Sequence, residues 1–327
     1  MTSNLTILFT SAGRRTHLIE TFRSDAKRLG VSLCVIAADS SPELSAACAL
    51  ADDHVAVPPC RHDEYVSVLR SLCVERCIDL VVPTIDTELI VLAGVKASFS
   101  DIGTRVVVSS PDAVRVARDK WLTATTLGSH SVPTPLTIPL GEALVVPNQL
   151  HGPVILKPRD GSNSQGLLRL ASLTDPASRE LSAESYIAQQ LCKGTEYTVN
   201  CFVSKSGKLI TAVPHRRIEV RGGEVSKALT ERRQDIIEMA PMIVDAMSGL
   251  EGPFCFQAIA TDDGPKVIEV NARFGGGYPV AHEAGARFGQ WLMEEHLGIT
   301  SSANDDWESD LLMLRHDAAV FAHGFKA

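Results

Sequence analysis

The segment IEVNARFGGGYP, residues 268–279, places a carboxylate, an amide and a guanidinium at alternate positions, namely Glu269, Asn271 and Arg273. Alternate residues of a strand project from one face, so these three side chains are predicted to point into one site. Carboxylate and amide oxygens suit Mg²⁺, and a guanidinium suits a phosphate or carboxylate group. The three glycines that follow allow the backbone to approach a ligand closely. The segment therefore predicts a site for a metal-bound phosphate.

A hairpin turn is predicted to bring a third oxygen ligand to this site. Asp262-Asp263-Gly264 separates two apolar segments, and Asp-Gly is a strong hairpin signal. Gln257 and Glu269 each lie six residues from Asp263, so they are predicted cross-strand neighbours. With Asn271 they form an oxygen-only cluster suited to Mg²⁺. A polar, solvent-facing hairpin is the alternative, and it does not explain Arg273 or the glycines.

A lysine at the end of an apolar strand, VILKP (154–158), is a second candidate. It precedes the small-residue loop RDGSNSQG (159–166), in which glycines let N–H groups approach phosphate oxygens while Lys157 adds a charge. A surface hairpin with a snorkelling lysine is the alternative. Because the lysine precedes the glycines, the segment is not a GxxxxGK[ST] loop.

The segment YIAQQLCKGTEYTV (186–199) contains two apolar strands around a short connector. The connector's backbone can offer a donor and an acceptor to the edge of a purine, and Glu196 can accept hydrogen bonds from ribose hydroxyls. A plain hairpin with an exposed acid is the alternative.

The segment RRIEVRGGEVSK (216–227) contains two strands around a Gly-Gly turn. This arrangement predicts that Arg217, Arg221 and Lys227 converge on one site, where Arg221 and Lys227 would bind a carboxylate or a phosphate. A solvated basic hairpin is the alternative.

The first third of the chain alternates apolar strands with helical segments. Such a pattern indicates a parallel sheet covered on both faces, which binds ligands beyond the carboxyl ends of its strands. Loops 11–15, 39–41 and 84–88 lie at that edge. A nicotinamide-dinucleotide fold, with Asp39 as the ribose acid, is the alternative, but Gly13 stands alone and the GxGxxG fingerprint is absent.

Composition narrows the class of protein. A chain of 327 residues favours two or three subdomains, and a net charge of −8 argues against a nucleic-acid partner. No apolar run approaches the ~20 residues needed to cross a membrane, and the N-terminus is predicted to be a strand, not a signal peptide. Eight scattered cysteines predict free thiols in a reducing compartment rather than a zinc site or disulfides. We therefore expect a cytoplasmic protein without a membrane partner.

In their joint order these motifs resemble the ATP-grasp superfamily, specifically single-module relatives of the carbamoyl-phosphate synthase large subunit. The resemblance extends from TSAGRR (10–15) to about residue 290 and is especially close at NARFGGGYP (271–279). It implies an α/β plus α+β fold: an N-terminal Rossmann-like pre-ATP-grasp domain followed by a two-lobed ATP-grasp domain. The expected bounds are 1–110 for the first domain, 111–190 for the small lobe and 191–327 for the C-terminal lobe with the metal site.

The resemblance also implies roles for individual residues. Phosphates, the closing loop, adenine and ribose would be contacted by Lys120, Lys157, Gly161, Ser162, Gly166, Gln189, Leu191 and Glu196. In this set the main chain at Gln189 and Leu191 reads adenine, although many relatives have Glu in place of Gln189. One or two Mg²⁺ ions, or Mn²⁺, would be held by Gln257, Glu269 and Asn271. The catalytic candidates are Arg273, at the reacting phosphate and acyl group, with Arg221 and Lys227.

The implied activity is that of an ADP-forming carboxylate–amine ligase. A small-molecule carboxylate, with amino acids among the candidates, attacks MgATP to give an acyl phosphate, and an amine then displaces phosphate. A non-catalytic nucleotide-binding module of the same fold is the alternative. A carbamoyl-phosphate-synthase-type subunit is disfavoured because the chain lacks a second synthase-like half and a recognisable glutaminase nucleophile. Relatives often form homodimers, and the sequence does not decide this point.

Overall fold

The computed structural model describes residues 3–161 and 165–321. The N-terminal domain consists, in chain order, of β1 (Asn4–Thr10), α1 (Thr16–Leu29), β2 (Ser32–Asp39), α2 (Ala46–Leu50), β3 (Asp53–Ala56), α3 (Tyr65–Glu75), β4 (Leu80–Pro83), α4 (Asp86–Ser100) and β5 (Arg105–Val106). Its five strands form a parallel sheet in the order β3-β2-β1-β4-β5. The predicted parallel α/β domain is confirmed. The loops after β1 and β4, at the centre of the sheet, lie at its carboxyl edge.

The next part of the chain forms a small lobe. It contains α5 (Pro111–Arg118), α6 (Lys120–Ser129), β6 (Thr137–Pro139), α7 (Leu140–Val145), β7 (Val154–Pro158), β8 (Leu168–Leu170) and β9 (Tyr186–Gln190). The four strands form an antiparallel sheet in the order β6-β9-β7-β8.

Two local predictions differ from this structure. Ser110 followed by Pro111 predicts the start of a helix that continues to about Gly128. The structure has two helices there, because Asp119 leaves the helical conformation (φ −100°, ψ 111°) and its carboxylate accepts hydrogen bonds from the N–H groups of Trp121 and Leu122. The proline-rich segment 132–147 predicts a strand and a loop, and the structure adds the short helix α7. In both places a local cap or turn decides where a helix begins or ends, and hydrophobic periodicity does not indicate that position.

The remaining elements form a large lobe. They are β10 (Thr195–Val203), β11 (Leu209–Arg221), β12 (Glu224–Thr230), α8 (Gln234–Ile237), α9 (Met239–Ala246), β13 (Gly252–Thr261), β14 (Gly264–Asn271), α10 (Tyr278–Glu283), α11 (Phe288–Leu297) and β15 (Leu312–Leu314). Six strands form an antiparallel sheet in the order β14-β13-β10-β11-β12-β15. Strands β9 and β10 belong to different sheets, so residues 191–194 connect two lobes and do not form a hairpin turn.

The large lobe shares its core with the N-terminal domain and with helices α5 and α6, whereas the small-lobe sheet and α7 have their own. Phe22 of α1 packs edge-on against Phe9 and Phe274, with ring centroids 5.1 and 5.7 Å apart. The small lobe buries a separate cluster that includes Leu140 and Leu156. The cleft between the two sheets therefore has one wall on a continuous body and the other on an independently packed lobe.

Candidate active site

A cavity of about 180 Å³ lies between the small-lobe and large-lobe sheets, and we call it the first cavity. Its apolar lining comes from both lobes and includes Ile155, Leu167, Leu191, Ile259 and Ile268. Its polar lining includes Lys120, Lys157, Gln189, Glu196, Gln257 and Glu269, all of which had been predicted to bind a nucleotide or its metal. Apolar walls that end in two lysines suit a flat base with a phosphate chain.

Lys157 is the clearest sign of an anion site in this cavity. Its side chain is only 8% exposed, and its ammonium group has no hydrogen-bond partner among residues 3–161 and 165–321. Burial lowers the pKa of Lys157 to about 8; Glu269 opposes this shift and the neighbouring Lys120 adds to it. Lys120 itself donates to the Gly161 carbonyl oxygen at 2.8 Å. A buried, unpaired ammonium group is costly unless a ligand supplies an anion.

The loop after Lys157 is described only in part. Gly161 lines the first cavity, whereas Ser162 lies outside the described residues. Gly166 is at φ +70°, and a Cβ there would lie 2.9 Å from the Tyr186 hydroxyl and 3.0 Å from Pro158. The structure thus explains Gly166 by backbone conformation and close packing. The cavity lining comes instead from its neighbours, Gln165 and Leu167.

The connector between the lobes differs in detail from the predicted adenine-reading segment. The Gln189 side chain is buried and donates to Thr137 Oγ1 at 2.9 Å, while the Leu191 N–H donates to the Pro153 carbonyl at 2.9 Å. The Leu191 amide is therefore already satisfied. Cys192, the next residue, lines the first cavity, and its N–H has no partner within the described part of the chain. Sequence reasoning missed Cys192 because the pairing of residue 191 with residue 153 is a long-range feature.

The predicted metal ligands lie together at the large-lobe side of the cleft. Gln257 and Glu269 are cross-strand partners on β13 and β14, as predicted. Asn271 is buried, and its Oδ1 accepts a hydrogen bond from Arg273 Nη2 at 3.3 Å. No cluster of three or more His, Cys, Asp or Glu side chains that could hold a metal occurs in the described ranges. One carboxylate with two amides fits a Mg²⁺ ion whose remaining ligands are phosphates and water.

A second cavity of about 280 Å³ adjoins the first. The two cavities share Arg169, Glu196, Gln257 and Glu269 as lining residues. The second cavity is also lined by Arg15, Arg217, Glu224, Asn271, Arg273 and residues 275–277. The oxygen cluster therefore lies between a cavity suited to a nucleotide and a cavity rich in arginine.

Arg273 connects the N-terminal domain to this second cavity. Its Nη2 lies 2.5 Å from Asp86 Oδ2, and its Nη1 donates to the Phe274 carbonyl at 2.9 Å. Asp86 is the first residue of α4, at the carboxyl edge of the parallel sheet. The loop 84–88 was predicted to lie at this edge, but the contact joins residues 187 positions apart, so no local sequence signal pairs Asp86 with Arg273.

The hairpin β11–β12 is formed as predicted, but it does not bring its three basic residues together. Arg217 lines the second cavity, with its Nε 3.1 Å from Glu196 Oε1 and its Nη1 bonded to Thr198 Oγ1. Arg221 and Lys227 are exposed and pair with Asp317 and Glu219, respectively. The pairing of the strands is irregular on both sides of Glu219, and this irregularity turns Arg221 away from the cavity that Arg217 faces. The position of Arg221 and Lys227 therefore gives no support to their predicted role.

The glycines at 275–277 are explained by close packing against the other strands. A Cβ would lie 3.0 Å from Cys255 Sγ at Gly275, 3.3 Å from the Glu224 carboxylate at Gly276, and 2.6 Å from His215 Nε2 at Gly277. His215 is fully buried, and burial, followed by Arg217 and Arg315, lowers its pKa to about 3, so it is neutral. The glycine backbone thus forms a wall of the second cavity with no side chain in between.

Comparisons with known proteins identify the class of protein to which this fold and site belong. An ATP-grasp domain model matches residues 117–277, and a model for the PylC-like N-terminal domain matches residues 7–107. The chain belongs to the ATP-grasp superfamily and has a PylC-like N-terminal domain.

Individual relatives are distant. The chain is 34% identical over 122 residues to the D-alanine–D-alanine ligase of Bordetella pertussis, a match that spans 35% of this chain and 38% of that protein. The biotin carboxylase domain of Hydrogenobacter thermophilus 2-oxoglutarate carboxylase superposes with a TM-score of 0.75 at 15% identity, over 94% of this chain and 73% of that one. The L-amino acid ligase of Bacillus licheniformis superposes with a TM-score of 0.69 at 19% identity, over 92% and 76%. These structural similarities establish the fold.

No helix in the described ranges is long and apolar enough to cross a membrane.

Proposed function

We propose that this protein is an ADP-forming ligase that activates a small carboxylate as an acyl phosphate and joins it to an amine. The observation that carries the proposal is the pair of joined cavities. The first contains a buried lysine that has no partner among the described residues, and the second is lined by arginines. Gln257 and Glu269 lie on the boundary between them. A phosphoryl group that passes from one cavity to the other would pass this boundary.

The first cavity would hold ATP. The apolar walls would sandwich adenine, with the Cys192 N–H as the main-chain donor to its edge. Glu196 would accept from the ribose, and Lys120 and Lys157 would contact the phosphates. Gln257, Glu269 and Asn271 would hold Mg²⁺, which would supply positive charge to offset the negative charge of the phosphates. Its lowered pKa of about 8 leaves Lys157 mostly protonated at neutral pH, as a phosphate ligand requires.

Arg273 and Arg217 would act on the reacting groups. In the first step a carboxylate oxygen attacks the γ-phosphorus, the bond to ADP breaks, and an acyl phosphate forms; positioning and neutralisation of charge provide most of the catalysis. In the second step the amine nitrogen attacks the acyl carbon, phosphate leaves, and the nitrogen loses a proton. Both steps spread negative charge over oxygens, and a preorganised guanidinium stabilises such charge in a site that excludes water.

The Bordetella ligase and the Bacillus ligase support amide formation between amino acids as the reaction of this site. The alternative use of the fold, as a nucleotide-binding module without turnover, would not require the buried Lys157 together with the oxygen cluster and Arg273.

The proposal is tested by measuring phosphate release from MgATP with a panel of amino acids, singly and in pairs. We expect release that depends on a particular pair and that falls by at least about 100-fold in Glu269→Ala, which removes the one carboxylate of the oxygen cluster. Glu219→Ala is the matched control, because Glu219 lies on the same lobe and faces away from both cavities. ATP binding without release for every pair would favour the non-catalytic module, and absence of ATP binding would refute the assignment.

A further inference from the structure

Arg15 lines the second cavity and not the first. It also lines a small adjoining pocket with Arg14, His17 and Arg315. Gln257 and Glu269 line the second cavity where it meets the first, whereas Arg15 lines it where it meets the small pocket, so a group bound to Arg15 would lie on the side away from the nucleotide.

The arginines that are shielded from solvent around this cavity and the small pocket differ in how they are neutralised; Arg169, which also lines the cavity, is exposed. Arg217 lies 3.1 Å from Glu196, and Arg273 lies 2.5 Å from Asp86. Arg315 donates to Glu224 at 2.9 Å. Each of these guanidinium groups has a close carboxylate.

Arg15 has no such close carboxylate among the described residues. Its nearest is Glu224, at 3.7 Å, which is already bonded to Arg315. Its hydrogen bond in the described part of the chain goes to the Thr84 carbonyl at 3.3 Å. Two guanidinium groups thus share one carboxylate at this wall, which leaves an excess positive charge.

The surroundings of Arg15 reinforce this excess. The side chain is only 20% exposed, and burial together with the nearby charge of Arg273 lowers the pKa of Arg15. Arg15 also precedes the 14-residue helix α1, whose first turn contains no acidic residue to offset the positive end of its dipole. A carboxylate placed here would form charge-assisted hydrogen bonds with a guanidinium that has free donors.

We propose that Arg15 binds an unreacted carboxylate of the second substrate, so that the amine substrate is an amino acid and the product is a peptide. This inference rests on the proposed ligase function. The activated carboxylate must lie beside the γ-phosphate at Gln257 and Glu269, so a carboxylate at Arg15 is a different one. In the second step the amine nitrogen forms the bond to the acyl carbon and loses a proton, phosphate leaves, and this second carboxylate is unchanged.

The test compares amino acids with amines that lack the carboxylate. Glycine, alanine and valine are assayed as acceptors against methylamine, ethylamine and isobutylamine, in the wild type, Arg15→Gln, Arg15→Lys and the control Arg221→Ala. We expect the wild type to prefer amino acids by on the order of 100-fold in kcat/KM, since a polar site rejects analogues that leave its groups unpaired. Arg15→Gln should lose most of this preference without a change in the KM for ATP, Arg15→Lys should retain part of it, and Arg221→Ala should match the wild type.

A binding measurement separates this inference from the ligase proposal. Equilibrium dialysis of the radiolabelled amino acids with MgADP should show binding to the wild type and at least about tenfold weaker binding to Arg15→Gln. Equal binding to both proteins, or wild-type use of simple amines as readily as of amino acids, would overturn the role of Arg15 and leave the ligase intact. If no acceptor supports phosphate release, the ligase proposal fails, and the dialysis result still decides whether Arg15 binds a carboxylate.

Discussion

The two hairpins of the large lobe, β13–β14 and β11–β12, were both predicted from their turns to bring functional side chains together. Only β13–β14 does so. Both hairpins contain an irregularity in strand pairing, and the position of that irregularity makes the difference.

In β13–β14 the irregularity completes the site. The turn pairs Thr261 with Gly264, and regular continuation from that pair would set Gln257 opposite Ile268. A bulge between Gln257 and Ala258 shifts the register by one, so that Gln257 faces Glu269. A shift of one residue exchanges the two faces of a strand. The predicted pair is confirmed, but it depends on the bulge and not on the turn alone.

In β11–β12 the irregularity separates the basic residues. Regular alternation would place Arg217, Glu219 and Arg221 on one face, but pairing is disturbed on both sides of Glu219. Arg217 and Val220 line the second cavity, while Arg221 and Lys227 are exposed. Residue types thus indicate the chemistry of a hairpin, whereas bulges, which have weak sequence signals, decide which residues perform it.

The largest expected effect is the difference in activity between substitution of Arg217 and substitution of Arg221 or Lys227 within β11–β12. Arg217→Ala should lower kcat/KM for phosphate release by roughly 100-fold, because it removes a buried cation from the second cavity. Arg221→Ala and Lys227→Ala should remain within about twofold of the wild type, since exposed ion pairs contribute little. Steady-state kinetics on the three variants measures this difference.

The stability of the Arg217→Ala variant must be measured together with its kinetics, because the substitution leaves Glu196 without the Arg217 guanidinium as its partner. Arg217→Lys keeps the charge and should recover part of the activity if the charge acts on the reacting groups. A large loss in Arg221→Ala or Lys227→Ala would show that the exposed face of the hairpin contributes to the site after all.

The next effect concerns the hairpin β7–β8 across the cleft, where Lys157 faces the first cavity and has no partner in the described part of the chain. Its pKa is about 8 when folded and near 10.5 when exposed, so the unfolded chain binds more protons between these pH values and stability rises with pH across that window. Below pH 8 the buried charge costs at most roughly 3 kcal/mol. Lys157→Met should therefore raise the free energy of unfolding at pH 7 and abolish tight binding of MgATP.

Urea unfolding of the wild type and Lys157→Met at pH 7 and at pH 10 checks the sign. The difference between the two proteins should shrink at the higher pH, because the wild-type lysine is then neutral. A Lys157→Met variant that is less stable at pH 7, or that binds nucleotide normally, would show that the lysine has a structural partner and not a ligand.

Much of the fold was predictable from sequence because it depends on local patterns. Continuous apolar strands separated by helices predicted the parallel sheet, and Ser110 with Pro111 predicted the start of α5. Asp262-Asp263-Gly264 predicted the hairpin β13–β14. Each of these signals lies within a few residues of the structure that it specifies.

The parts of the site that were missed depend on contacts between distant segments. The loop that contains Asp86 was predicted at the sheet edge, but its ion pair with Arg273 across the domain boundary was not. Cys192 presents its N–H because Leu191 pairs with Pro153. The sequence analysis included Arg217 in the predicted site but assigned the binding role to Arg221 and Lys227. The register of β11, which decides between them, is not a local property. Sequence spacing identifies the groups that carry chemistry, and the packing of sheets selects among them.

The smallest expected effect lies where the two compared hairpins meet. Gly277 follows β14 and packs on His215 of β11, where a Cβ would lie 2.6 Å from Nε2 and 3.0 Å from Val225 of β12. His215 cannot move aside easily, because it is fully buried and its Nδ1 lies 3.3 Å from Asn200 Nδ2. Gly277→Ala should therefore cost about 1–3 kcal/mol of stability, the usual range for overpacking.

Gly276→Ala is the matched control for this strain. Its Cβ would meet the Glu224 carboxylate at 3.3 Å, and that side chain is partly exposed and can turn away, so the loss should be under about 1 kcal/mol. Thermal unfolding is measured for both single variants and for Gly277→Ala combined with His215→Ala. The double variant shows how much of the loss in Gly277→Ala comes from contact with the His215 ring. The double variant should be more stable than the sum of its single effects implies, because the removed ring leaves room for the new methyl group. Simple additivity would mean that the glycine is required for its backbone and not for the junction of the two hairpins.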